Sequence, residues 1–175
     1  MKKSLILIIG ISLYMGNISF SQDYKYVGSA KCKMCHNSAS KGAQYTKWTE
    51  SKHSKAIATL KGAEAMKYGK EHNIADPSKE QKCLKCHSTA ASIDAKLNGG
   101  ITVEEGVSCE SCHGGGEKYK SPAIMKDLAQ AKKNGLIIPD EKVCKKCHNP
   151  ENPFHKEFEF AKYFPKISHP NTAKK

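Results

Sequence analysis

The chain has 175 residues and a formal net charge of +12, and all 29 of its basic residues are lysine. Because bidentate recognition of phosphates and bases usually uses arginine, this composition argues against nucleic acid as a partner. A lysine-rich surface suits an acidic protein partner or a small anion, although a merely solvated lysine surface explains the composition equally well.

The first 21 residues predict a cleaved export signal. A lysine pair is followed by an apolar region of 11 residues, Leu5 to Met15, and by small residues before a cleavage site at Gln22. The apolar region is too short to span a bilayer comfortably, so a retained anchor is the less favoured alternative. We expect a signal peptide over 1–21, a single domain over 22–175, a periplasmic or otherwise exported location, and no stable membrane insertion after cleavage.

One five-residue motif, Cys-x-x-Cys-His, occurs four times and uses every cysteine of the chain. Two thiols separated by two residues can reach the two vinyl groups on one porphyrin edge, and the histidine that follows then lies under the iron. Zinc ribbons and disulfides also use paired cysteines, but neither requires a histidine after every pair, and histidine supplies only 8 of the 175 residues. The motifs therefore predict four covalently attached c-type haems. The expected attachment residues are Cys32, Cys35, Cys83, Cys86, Cys109, Cys112, Cys144 and Cys147, and the expected proximal ligands are His36, His87, His113 and His148.

Four haems in a domain of this size leave about 39 residues for each, too few to build four separate side-chain pockets. The porphyrins must therefore form much of the core and lie against one another. We expect a mainly α fold, a compact multihaem cytochrome with short helices and long loops around four stacked haems. Ionised haem propionates would lower the net charge of the domain from +10 to about +2.

Between the first and second motifs, apolar residues recur at helical spacing from Gln44 to Leu60, and Gly62 is a plausible stop. His53 falls on the apolar face of this predicted helix. A histidine on such a face is ordinarily a core residue, but here the core is porphyrin and neutral imidazole is the usual iron ligand. We therefore favour His53 as an axial ligand.

Residues 61–82 are polar and show no apolar face, so His72 is interpreted as a solvated histidine rather than a ligand. Asp76 and Pro77 predict an N-cap and the first residue of the short helix that carries the second motif. Residues 88–108 contain several glycines that indicate turns.

The third motif continues into Gly114–Gly116, where glycine would let the backbone pass close to a haem face; a flexible loop is the alternative. Ser121 and Pro122 predict the start of a helix that ends at Asn134 and Gly135. Met125 lies on the apolar side of this helix and is interpreted as a core residue, with thioether ligation less favoured.

The segment after the fourth motif is rich in aromatic residues, which we expect to pack on haem faces. It leads to His169, which is interpreted as a second distal ligand, with an ordinary tail histidine as the alternative. The aromatic residues are Phe154, Phe158, Phe160, Tyr163 and Phe164.

Four segments resemble the cytochrome c-554 family of multihaem cytochromes: Tyr26–Ser29, Trp48–His53, Gly106–Gly114 and Cys147–Pro150. The resemblance spans nearly the whole predicted domain and includes residues outside the haem motifs. It implies a mainly helical fold with haems in close stacked pairs. It also implies a role in periplasmic electron transfer, which in some members is linked to nitrogen-compound oxidation.

The same resemblance implies the axial ligands. His53 would be the distal ligand of the fourth haem, at His148, and His169 that of the third haem, at His113. The second haem, at His87, would be five-coordinate. The first haem's distal histidine normally follows the third motif, where this chain has none, so its sixth ligand stays open between His72, His155, Met125, a residue of a partner subunit, and no ligand.

Taken together, the sequence favours an electron carrier between redox partner proteins, such as other cytochromes and a periplasmic dehydrogenase or reductase. It predicts no catalytic residues, and so no enzyme. One alternative is a small redox enzyme that binds or reduces NO or a related species at a five-coordinate haem. Another is a subunit of a polymeric cytochrome chain in which a neighbour completes the first haem.

Overall fold

A computed structural model describes residues 24–169; the signal peptide predicted over 1–21 lies outside the described residues. Within them the chain forms short α-helices and three 3₁₀ turns, and the only pairing of β type is an isolated parallel bridge between Tyr26 and Asn98. None of these helices is long and apolar enough to cross a membrane. The prediction of a mainly α fold is confirmed, while the stacking of haems stays a prediction.

In chain order, the helices are α1 (Ala30–His36), α2 (Gln44–Glu50), α3 (Ala56–Leu60), α4 (Ala63–Glu71), α5 (Gln81–His87), α6 (Thr89–Ser92), α7 (Cys109–His113), α8 (Pro122–Met125), α9 (Leu128–Lys133), α10 (Glu141–Lys145) and α11 (Phe160–Ile167). The 3₁₀ turns are Ala39–Lys41, Ala95–Leu97 and Val103–Glu105.

Each haem motif lies on or at the end of a helix. Helices α1, α5 and α7 all end at a motif histidine. Helix α10 ends at Lys145, but the backbone N–H of His148 still donates to the carbonyl of Cys144 at 3.0 Å, as in a helical turn. In such a turn residues four apart share one face, so the first cysteine and the histidine of each motif point the same way.

The predicted continuous helix from Gln44 to Leu60 is wrong, because it is interrupted between α2 and α3. The Ser51 hydroxyl donates to the Trp48 carbonyl at 2.7 Å, and the Ser54 hydroxyl donates to the carbonyls of Thr49 and Ser51 at 3.0 Å. Serine hydroxyls that bond the backbone in this way compete with helical hydrogen bonds. His53 therefore lies in a turn between two helices.

Two other boundaries also differ from the predictions. Helix α5 begins at Gln81, where the Glu80 side chain accepts from the N–H of Lys82, whereas Asp76 caps only a turn by accepting from the N–H and hydroxyl of Ser78. Helix α4, in the polar segment 61–82, was not predicted. Helix α4 packs against α3, and this tertiary contact, which the sequence pattern does not show, stabilises it.

The helix predicted from Ser121 to Asn134 is likewise divided, into α8 and α9. Asp127 caps α9 by accepting from the N–H groups of Ala129 and Gln130, at 2.9 and 3.1 Å. The predicted end is confirmed, since the chain turns at Gly135 with φ +99°. Met125 packs against a small cluster of buried residues, in agreement with its interpretation as a core residue.

The apolar core of the described chain is thin. One cluster joins Ile57, Leu60 and Leu84, and the other joins Tyr119, Ala131 and Leu136. The first cluster packs α3 against the helix of the second motif, and the second supports the loop after the third motif. Large apolar side chains remain exposed elsewhere, including Met34, Ile138 and Phe154.

Candidate haem sites

The structure brings His53 against the histidine of the fourth motif. The ring centroids of His53 and His148 lie 6.1 Å apart, with an interplanar angle of 65°. Burial, and then the proximity of His148, lower the pKa of His53. Partial desolvation also lowers the pKa of His148, which stays partly exposed to solvent. Both imidazoles therefore favour the neutral form, which is the form that binds a metal.

His169 lies in the same way against the histidine of the third motif. The ring centroids of His113 and His169 are 5.9 Å apart; burial lowers the pKa of His113, and partial desolvation lowers that of His169, which stays partly exposed to solvent. Nδ1 of His113 lies 3.0 Å from the Ile137 carbonyl, a hydrogen bond that fixes the ring and leaves Nε2 for a ligand. This position against His113 is expected of a second distal ligand, whereas an ordinary tail histidine would have no reason to occupy it.

These two separations fit a haem iron between the rings. Metal–imidazole nitrogen distances are about 2 Å, so two rings on opposite sides of one metal have centroids about 6 Å apart once the ring radii are added. A cavity of about 310 Å³ also lies between the second and fourth motifs, bordered by Cys86, Cys147 and Val107. The residues present therefore fit covalently attached haem, although the ligand and attachment assignments stay predictions.

The histidines of the first and second motifs have no such partner. Among the described residues, no second imidazole ring is in contact with His36 or His87. Nδ1 of His87 lies 2.8 Å from the Ala56 carbonyl and 3.2 Å from the Thr59 hydroxyl, so its ring is also fixed with Nε2 left over.

The remaining two histidines lie away from the first motif. His72 is exposed, stacks on Tyr68 at 3.8 Å and places Nδ1 2.9 Å from the Tyr68 carbonyl, as expected of a solvated histidine. His155 lies close enough to His148 to contribute to its lowered pKa, which places it near the fourth motif. Because neither residue lies near the first motif, neither position supports His72 or His155 as the sixth ligand of the first haem.

Contacts between cysteines show which motifs are neighbours. Cys32 and Cys109 lie close enough for each to shift the pKa of the other's thiol, which places the first motif beside the third. A second thiol pair, Cys86 and Cys147, joins the second and fourth motifs. Burial, and then nearby Cys144, raise the pKa of the Cys112 thiol to about 11, so the third and fourth motifs also adjoin. The motifs therefore follow one another in space in the order first, third, fourth, second.

Two glutamates join the first and third motifs through backbone hydrogen bonds. Glu110, only 1% exposed, accepts from the N–H groups of Val27 at 2.9 Å, Gly28 at 2.8 Å and Gly116 at 2.6 Å. Glu105 accepts from the N–H and the hydroxyl of Ser29 at 2.7 and 2.6 Å. We call Glu105 and Glu110 the carboxylate clamp.

Burial raises the pKa of the Glu110 carboxyl, and its three N–H donors oppose that shift. Sequence reasoning did not identify the clamp. One signal for it exists: only the third of the four motifs carries an acidic residue between its cysteines.

The glycines after the third motif allow close packing against the N-terminal segment. A Cβ on Gly115 would collide with the Tyr24 carbonyl oxygen, and one on Gly114 would lie 2.7 Å from the Gly135 carbonyl oxygen. All three glycines, 114–116, are buried and closely packed, which is not the environment expected of a flexible loop. The close approach that they allow in the described chain is to backbone.

Two of the aromatic residues after the fourth motif, Phe158 and Tyr163, form a stack on the ring of His148. Phe158 stacks on the His148 ring at 4.8 Å and on Tyr163 at 5.6 Å. Phe154 lies apart from them against Tyr68, with ring centroids 5.2 Å apart. Packing of these residues on haem faces stays a prediction.

Covalent attachment of haem through paired cysteines, with the following histidine on the iron, defines the c-type cytochromes, and the motif helices and imidazole pairs described above are the arrangement expected of that class. The family model for cytochrome c554 and c-prime matches residues 31–114, which include the first three motifs. The chain belongs to the cytochrome c-554 family, as its sequence resemblance predicted.

A curated relative, cytochrome c-554 of Nitrosomonas europaea, is 32% identical over 155 residues, an alignment that covers 74% of this chain and 60% of the relative. The chain thus spans less than two thirds of that protein's length. No solved structure matches the chain.

Proposed function

We propose that this protein is an exported tetrahaem cytochrome that carries electrons between redox partner proteins, such as another cytochrome and a periplasmic dehydrogenase or reductase. The observation that carries this proposal is the spatial order of the four motifs: the first beside the third, the third beside the fourth, and the fourth beside the second. Electron tunnelling rates fall exponentially with distance. Haems attached to adjoining motifs can therefore pass electrons along the series.

The cysteine and histidine side chains have different roles in this function. Haem, when bound, supplies a one-electron iron couple. The four cysteine pairs would hold one group each, and His36, His87, His113 and His148 would each supply one nitrogen to its iron. His53 and His169, which lie against His148 and His113, would supply a second nitrogen to the fourth and third groups. The hydrogen bonds that hold the His87 and His113 rings would limit rearrangement when the charge changes, which favours rapid electron exchange.

The haem count and the spin states test the proposal directly. A pyridine haemochrome spectrum should give four haems per chain. The EPR spectrum of the oxidised protein should contain low-spin signals from at least two haems, those of the third and fourth motifs. Fewer than four haems, or a protein that turns over a substrate steadily while passing no electrons to a redox protein, would contradict the carrier proposal.

The ligand assignment has its own test in a His53→Ala variant. This change should convert the fourth haem from low-spin to high-spin and leave the first haem unchanged, because His53 lies against His148. His72→Ala is the matched control, since His72 is exposed and stacks only on Tyr68. EPR and the visible spectrum report both. Loss of the first haem's signal in the His53 variant would overturn the assignment.

A second function is favoured by the unpaired histidine of the second motif. No other imidazole in the described part of the chain contacts His87, so its haem could bind a small ligand such as NO on the open side. Addition of NO or cyanide to the protein should then shift the spectrum of one high-spin haem. A fully low-spin spectrum that neither ligand alters would eliminate this function.

A further inference from the structure

The two ends of the motif series meet solvent differently. At one end, α1 carries the first motif and buries no side chain; Met34 is 84% exposed and Cys35 is also exposed. At the other end, Leu84 of the second motif is only 8% exposed and packs in the core cluster with Ile57. A partner protein could therefore approach the attachment edge of the first haem more closely than that of the second.

Two lysines of the other motifs are paired with carboxylates, unlike those of the first. Lys85 of the second motif pairs with Glu151 at 2.9 Å, and Lys145 of the fourth pairs with Glu141 at 2.8 Å, whereas Lys146 of the fourth is exposed and forms no ion pair with the described carboxylates. Lys31 and Lys33 on α1 are exposed, and neither forms an ion pair with any carboxylate of residues 24–169. Lys33 lies instead over the Tyr45 ring, 5.5 Å from its centroid. The positive charge of α1 thus remains available to a partner.

The carboxylates nearest to α1 do not neutralise the positive charge on its exposed surface. Glu105 and Glu110 lie close enough to Cys32 to affect its pKa, but both are bonded to backbone N–H groups of Val27–Ser29. Their oxygens are occupied inside the protein. The outer face of α1 therefore combines an apolar centre, Met34, with unpaired positive charge beside it.

We propose that the exposed surface of α1, which carries Lys31, Lys33, Met34 and Cys35, is the docking surface through which an acidic redox protein exchanges electrons with the haem series. This inference rests on the proposed carrier function. Complementary charge speeds and orients a transient encounter, and the flexible Met34 side chain can adapt to a partner's surface. The first haem is then the entry or exit point, and the electron continues toward the third.

Stopped-flow reduction by flavodoxin hydroquinone, a small acidic flavoprotein, tests the site. In each transfer the anionic flavin hydroquinone becomes the neutral semiquinone, and one ferric haem becomes ferrous. K31E/K33E should lower the second-order rate constant at least tenfold at low ionic strength. The difference should shrink in high salt, because exposed charges are screened.

The matched control is K67E/K70E, which makes the same change of charge on exposed lysines of α4, a helix that packs against α3 beside the second motif. This variant should stay within about twofold of wild type, because its lysines lie outside the docking face. Haemochrome spectra must show equal haem content in all proteins. Should K31E/K33E attach haem poorly, M34E puts a negative charge at the centre of the same face and should also slow reduction.

Two outcomes would overturn the docking surface: equal slowing by the α4 variant, or unchanged rates in both α1 variants. Reduction by a neutral photogenerated deazaflavin radical separates this failure from that of the carrier proposal. If the radical reduces every variant equally and electrons pass onward, the carrier function stands without this docking site. If wild-type haems accept electrons but release none to another cytochrome, the carrier function fails and the docking proposal with it.

Discussion

The first and third motifs share a five-residue pattern and lie side by side, with Cys32 near Cys109, yet their surroundings are opposite. Helix α1 buries none of its side chains, whereas α7 buries Glu110 and is followed by three buried glycines. The attachment chemistry is therefore the same in both places. The difference lies in the two residues between the cysteines.

Those residues determine what each motif can do besides holding haem. Lys33 and Met34 face solvent at the first motif, where a partner can reach them. Glu110 of the third motif instead accepts three backbone hydrogen bonds, two of them from the segment that leads into the first motif. Glu110 of the third motif is thus a buried anchor: its hydrogen bonds hold the first motif in place. The first motif, which is exposed to solvent, is called the exposed arm.

The largest expected effect comes from removing the anchor. Glu110→Gln replaces one acceptor oxygen by an NH₂ group that faces backbone N–H donors, in a site that is only 1% exposed. We expect a loss of about 3–4 kcal/mol in the free energy of unfolding, because buried donors lose a charged acceptor. Denaturant unfolding of the haem-loaded protein measures it.

Glu117→Gln is the control for that prediction. Glu117 is also a carboxylate that accepts a backbone hydrogen bond, from the N–H of Lys25 at 3.3 Å, but this bond is exposed to solvent. The control should lose no more than about 0.5 kcal/mol. Equal losses in the two variants would mean that burial of Glu110 contributes nothing special.

A somewhat smaller effect is expected from adding a side chain where Gly115, just after the third motif, packs against the N-terminal segment. The added methyl group of Gly115→Ala would collide with the backbone of Tyr24 and Lys25, which cannot yield as a flexible side chain would. We expect a loss of about 2–3 kcal/mol, measured by the same unfolding experiment. At Gly62 a Cβ would meet only the Thr59 carbonyl at 3.3 Å, so Gly62→Ala should cost clearly less. If Gly115→Ala were neutral, the N-terminal segment would not be held as tightly as the contact implies.

A hydrogen bond from α2 to the segment before the third motif should contribute less to the free energy of unfolding than the contacts above. Nε1 of Trp48 donates to the Val107 carbonyl at 2.9 Å, just before the third motif. Trp48→Phe removes this bond but keeps an aromatic ring, and we expect a loss of about 1 kcal/mol in the free energy of unfolding. A loss as large as that of the Glu110 variant would show that Trp48, rather than the clamp, is the main connection.

The chemistry of the candidate site was largely predictable, because it depends on local sequence. Each motif is a single helical turn, so its spacing alone specifies which side chains share a face. The aromatic residues and His169 follow the fourth motif closely enough to suggest packing around haem. Membership in the cytochrome c-554 family followed from residues on both sides of the motifs.

The rest depends on contacts that spacing does not encode. The turn that carries His53 arises from hydroxyl bonds of Ser51 and Ser54, which override a helical pattern. The carboxylate clamp joins residues that are more than 70 positions apart in the chain. The order of the motifs in space follows from the proximity of cysteines that belong to different motifs, and so it could not be obtained from the order of the motifs in the sequence.

The smallest effect on stability should come from the exposed arm itself. Met34 is 84% exposed, so Met34→Ala removes little buried surface and should change the free energy of unfolding by less than about 0.5 kcal/mol. Leu84→Ala is the matched change in the second motif, where the leucine is 8% exposed within a core cluster, and it should cost about 2–3 kcal/mol. Denaturant unfolding compares the two. A large loss at Met34 would mean that the methionine packs on haem, and the first motif would then be as much a part of the core as the third.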